Sequence, residues 1–123
     1  GIYNVVGPEG RLSTAEFLYG VRAATSTPVK FTWVDKDFLD AEDVRSRRDL
    51  PMWMPLSDPL GPPLVLNQRA IAKGLRFRPL AQTAHNTLDW FKTLPAERQA
   101  NLRAGMSMER EAEVLAAWHA REE

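Results

Sequence analysis

Cysteine is missing altogether, so the chain can form neither a disulfide framework nor a thiolate metal site. No apolar run approaches the ~20 residues of a membrane helix, and no signal-peptide pattern opens the chain. Together these absences suit a cytoplasmic protein that does not enter a membrane. Net charge is missing too: 16 basic and 16 acidic residues cancel, which argues against a nucleic-acid partner. A phosphate-cradling loop is not found. The Gly7-Pro8-Glu9-Gly10 turn has only two glycines, and Pro8 has no N–H to offer an anion. There is no G-x-S-x-G elbow. His85 and His119 lie on different predicted helices without metal-ligand spacing, so they read as surface or hydrogen-bonded histidines.

What is present is ordinary globular composition, 44% hydrophobic and 26% charged over 123 residues, the length of one domain. Arginine outnumbers lysine by twelve to four, a bias equally suited to anion contacts and to structural ion pairs. Gly1–Gly7 is β-branched and aromatic with apolar residues at nearly every position, and predicts a buried strand. Ser13 and Glu16 fit a capping box for a helix with Phe17, Leu18, Val21 and Ala24 on its inner face. Val29–Val34 alternates like a second strand. The opening therefore reads as strand, helix, strand, an α/β unit.

Further on, Asp37–Arg48 predicts a short helix anchored by Phe38, Leu39 and Val44. Leu50–Pro63 carries Pro51, Pro55, Pro59, Pro62 and Pro63, which forbid a continuous helix or central strand. Asn67 reads as the cap of a helix over Gln68–Lys73 that Gly74 stops, and Leu75-Arg76-Phe77 as a short extended piece. After Pro79 a helix carries Leu80, Ala84, Leu88 and Phe91 on one stripe. Ala96–Ala104 is a modest helix ended by Gly105. Ser107 caps the last helix, whose stripe is Met108, Ala112, Leu115 and Trp118. Ser13 and Ser107 are thus explained as caps and not as nucleophiles. Trp33, Trp90 and Trp118 sit at core spacing. Trp53, in a proline-rich loop beside Met52 and Met54, reads as core packing with ligand contact as the alternative.

Two stretches, GIYNVVGPEGRLSTAEFL and LNQRAIAKGLRFRPLAQTAHNTLDWF, resemble the end of the extended short-chain dehydrogenase/reductase family, the NAD-dependent epimerase/dehydratase-like enzymes. The first is similar to the family's late strand, turn and Ser/Thr-capped helix. The second is similar to its closing block, with Ala70, Gly74, Leu75, Phe77, Pro79, Leu88, Trp90 and Phe91 as landmarks. The resemblance implies an α/β fold, α+β-like as an isolated piece, with short strands and four to six helices: the C-terminal, substrate-side lobe of a Rossmann-type enzyme. Residues 1–92 fall to the family-like part of this single lobe and 93–123 to a helical extension.

The resemblance further implies a parent that uses NAD or NADP, held by an N-terminal Rossmann domain with a Gly-rich turn. This chain carries no such turn. Nor does it carry the family's Tyr and Lys four residues apart, since Tyr3 is followed by Gly7 and Tyr19 by Ala23. No catalytic, cofactor-binding or metal residue is therefore assigned. Ligands of open α/β folds sit beyond the carboxyl ends of strands, which nominates Val6, Gly7 and Pro8 as substrate-lining, with Met52, Trp53 and Met54 as the second lining. The expected function is a substrate-binding part of an epimerase, dehydratase or reductase, not competent alone. The alternative is a stand-alone small-molecule-binding or protein-interaction module without catalysis. Because Gly1 and not Met opens the chain, it is expected to be part of a longer product. A Gly1–Gly7 strand without its neighbours should then pair with another copy, so self-association is expected.

Overall fold

The computed structural model describes residues 1–55 and 65–121. Among these residues the architecture is helical: α1 (Thr14–Ala23), α2 (Lys36–Ala41), α3 (Gln68–Ile71), α4 (Leu80–Lys92), α5 (Ala96–Ala100) and α6 (Met108–His119). No sheet forms among the described residues, where one isolated bridge, Ser46 with Leu50, is the sole β-type pairing. The expected α/β lobe with short strands is therefore corrected to an all-helical fold. The described residues divide into two compact units. One takes Gly1–Val29 and Pro63–Gln99, the other Lys30–Pro62 and Ala100–Glu123.

The first unit shows why the strand predicted at Gly1–Gly7 does not form. Strand composition only specifies a strand when another backbone lies alongside to complete the ladder. Gly1–Gly7 meets side chains instead. Asn4 Nδ2 donates to Leu66 O at 3.0 Å, and Asn67 Nδ2 donates to Val6 O at 2.7 Å and to Pro8 O at 2.9 Å. The Arg69 guanidinium stands over the Tyr3 ring at 5.6 Å. The segment is solvent-exposed and not buried, with Ile2 at 91% and Val5 at 74% exposure. Val29 and Trp33 of the other predicted strand, Val29–Val34, are likewise exposed.

The helices of this unit follow local signals closely. Ser13 Oγ accepts from Glu16 N at 3.2 Å while the Glu16 carboxylate accepts from Ser13 N at 2.8 Å, the reciprocal capping box. Phe17, Leu18 and Val21 are half-buried and Ala24 is buried, as the stripe predicts. On α4 the half-buried residues include Leu80, Ala84, Leu88 and Phe91, the predicted set, and α4 packs against α1. Gly20 sits at that contact: a Cβ there would lie 2.7 Å from Leu80 Cδ2. Helix α3 stops at Ile71, short of the expected Lys73. Gly74, at φ +97°, turns the chain so that Leu75 N reaches Ala70 O at 3.0 Å.

The second unit has the larger apolar core. Phe38, Leu39, Val44 and Val114 are buried together, with Val34, Leu50, Trp53, Met106, Ala117 and Trp118 packed around them. Asp35 caps α2 by accepting from Phe38 N at 2.7 Å. The helix ends at Ala41 and does not run to Arg48, because Asp43 adopts φ 55° and Val44 N closes onto Leu39 O at 2.8 Å. On α6 the inner face keeps Leu115 and Trp118 of the predicted stripe, both half-buried, but not Met108, 83% exposed, or Ala112. Val114 is the buried residue, so the face runs through Arg110, Val114, Leu115, Ala117 and Trp118. The reason lies in a polar anchor: Arg110 Nη2 donates to Glu42 O at 2.7 Å and Glu42 Oε2 at 3.3 Å, fixing the rotation of the helix. Hydropathy periodicity counts such an arginine as an outward residue.

Asp49 organises the link between α2 and the Pro51 turn. It accepts from Arg48 through Nε and Nη2 and from Arg45 N at 2.8 Å, while Arg48 O and Asp49 O receive Gly105 N and Met106 N, both at 3.0 Å. The Arg48 guanidinium, then the Arg45 amide, hold the Asp49 carboxyl down from its ordinary 3.8 to about 2. A depressed folded value means the stabilisation is fully present above pH 3.8 and is lost as pH falls through about 2. A carboxyl-carbon NMR titration should find the Asp49 midpoint near 2. A midpoint at the ordinary value would mean that the Arg48 and Arg45 contacts do not persist in solution.

Candidate functional site

The six residues nominated from the sequence fall in different units: Val6, Gly7 and Pro8 in the first, Met52, Trp53 and Met54 in the second.

In the first unit the Val6–Pro8 turn is held from beneath. Asn67, only 4% exposed, donates its side-chain amide to the two carbonyls that flank Gly7. It makes no cap hydrogen bond to α3, so its expected capping role is replaced by this long-range one. A buried amide needs such partners, since leaving it unpaired costs about 1–3 kcal/mol. Gly7 is required by proximity: a Cβ would lie 2.9 Å from Phe77 Cδ1 and 3.1 Å from Cε1. The turn itself faces solvent, with Val6 at 39% exposure. It offers an apolar, exposed edge backed by a fixed polar clamp.

In the second unit Trp53 is half-buried against the Phe38 cluster, and Trp53 N donates to Leu50 O at 3.0 Å. The core-packing reading of Trp53 therefore has a contact to support it. Met54 is half-buried, and Met52 points outward at 63% exposure. Of the proline-rich loop, Pro59, Pro62 and Pro63 lie outside the described residues. Trp33 and Trp90, expected in the core, are exposed at 52% and 60%, whereas Trp118 stacks edge-on against Phe38 at 5.1 Å and 66°.

Sequence reasoning missed one surface feature. An open depression of about 460 Å³ is lined by Asp35, Asp37, Phe38, Ala41, Glu42 and Arg121. Arg121 lies 5.0 Å from the Phe38 ring centre and 5.1 Å from that of Trp118, with Nη1 3.7 Å from Asp35 Oδ2. The signal for it was present only as acids bracketing Phe38 on a short helix, indistinguishable in sequence from a solvated face. Its lining holds no serine, threonine, cysteine, histidine or lysine.

The N-terminus of α1 already carries the Glu16 carboxylate, held on Ser13 N and Oγ at 2.8 and 2.7 Å. The Ser13 amide and hydroxyl keep that carboxyl below the usual carboxylate range, so it is charged near neutrality. A second anion, such as a pyrophosphate, would be repelled there. The N-terminus of α1 therefore does not fit the pyrophosphate of NAD or NADP. Among the described residues no group of three His, Asp or Glu side chains is arranged to hold a metal, and no helix is long and apolar enough to cross a membrane.

Comparison with protein-family models, curated proteins and solved structures returns no match to the chain.

Proposed function

We propose that this chain is the substrate-binding part of an NAD(P)-dependent epimerase, dehydratase or reductase, resembling extended short-chain dehydrogenase/reductases, and that it is not competent alone. The reading rests on residues and their contacts and not on a shared fold. One observation carries it: Asn67, from the second family-like stretch, is buried and clamps Val6 O and Pro8 O of the first. The two stretches that carry the resemblance are thus physically one unit, although 61 residues separate Asn67 from Val6. Val6, Gly7 and Pro8 of the first unit and, separately, Met52, Trp53 and Met54 of the second are the candidate substrate-lining residues. The dinucleotide, NAD or NADP, belongs to a separate Rossmann domain that partners this chain. In a bound parent it would supply the hydride chemistry.

Titration of the chain with NADH and with NADPH, followed by nicotinamide fluorescence, should show no saturable binding. Tight binding of either would overturn the assignment. The reading frame ahead of Gly1 should encode a Gly-rich strand–turn–helix followed by Tyr-x-x-x-Lys, and a frame without them would equally defeat it.

The partner surface has its own test. Ile2 and Val5, 91% and 74% exposed, form an apolar edge beside Leu66 at 73%. The described backbone hydrogen bonds engage no amide of Ile2, Tyr3, Asn4 or Val5. Solvent-facing main-chain groups beside exposed apolar side chains favour pairing with a further backbone. Without the Rossmann domain, the chain should self-associate through Gly1–Gly7, its light-scattering mass rising with concentration. Joint Ile2→Lys and Val5→Lys substitution should restore the monomer mass. The unsubstituted chain remaining monomeric across a wide concentration range would refute self-association.

A further inference from the structure

We draw no further inference here: the strongest candidate, the open depression of the second unit between Asp35, Asp37, Phe38, Glu42 and Arg121, is an acidic cluster whose Asp35 and Glu42 are already engaged by Arg121 and Arg110, with no second feature among the described residues that points to a ligand.

Discussion

Phe38→Ala should cost the second unit about 3–5 kcal/mol, the range for removing a buried aromatic side chain. Phe38 is 8% exposed and sits in the one cluster that joins α2, the Val44 turn and α6. Three separate contributions are lost with the ring. Burial of its apolar surface is the largest. The edge-on contact with Trp118 at 5.1 Å adds about 0.5–1.5 kcal/mol, and the Arg121 guanidinium at 5.0 Å adds a smaller cation–π attraction at this exposed rim. Among its described residues the unit has only Leu39, Val44 and Val114 as further buried apolar residues, so little remains to close the cavity. Whole-domain stabilities of about 5–15 kcal/mol make such a loss decisive. Amide exchange in α2 and α6 should accelerate by roughly a hundredfold or more, following the free-energy change. Phe38→Leu, which keeps most of the volume, should lose well under half as much. Equal effects from both variants would show that the ring geometry and its arginine partner, not burial, hold the unit together.

The same cluster shows which parts of this molecule were legible in its sequence. Elements fixed by neighbours three or four residues away read correctly: the Ser13–Glu16 capping box, the Ser107 cap accepting from Arg110 N, and the Leu80–Ala84–Leu88–Phe91 stripe. Each is decided by helix geometry alone. Elements that need a distant partner read wrongly. Gly1–Gly7 and Val29–Val34 have the composition of strands, but composition supplies no second strand, and among the described residues none pairs with them. The inner face of α6 was read only in part, through Leu115 and Trp118 but not Val114, because an apolar stripe does not register Arg110, which reaches across 68 positions to Glu42. The candidate site divides the same way. Gly7 and Pro8 could be nominated as a turn from their own identities, whereas the residue that holds the turn could not. An asparagine ahead of a helix is ordinarily a cap, and only the folded chain reveals that its amide faces the other way.

That inversion gives the second large effect. Asn67→Asp changes almost nothing in volume and converts the side chain from donor to acceptor, directly opposite Val6 O at 2.7 Å and Pro8 O at 2.9 Å. Two hydrogen bonds at about 1 kcal/mol each are lost, and a carboxylate is left in a site where the parent residue is only 4% exposed, facing two carbonyl dipoles. A destabilisation of about 2–4 kcal/mol at pH 7 is expected from those contributions. Asn67→Ala should cost less, about 1–2 kcal/mol, because Val6 and Pro8 are solvent-exposed and their carbonyls can turn to water. The order of the two variants is itself diagnostic, since a mere space-filling or capping role would make alanine the worse substitution and aspartate the milder one. Burial and the facing carbonyls raise the folded pKa of the introduced carboxyl above its unfolded value. The penalty is therefore absent below the unfolded value and fully developed above the folded one. Urea midpoints of Asn67→Asp and the parent should accordingly draw together between pH 7 and pH 4. A gap that stays constant, or an aspartate variant as stable as the parent, would show that the amide does not clamp the Val6–Pro8 turn and would remove the contact joining the two family-like stretches.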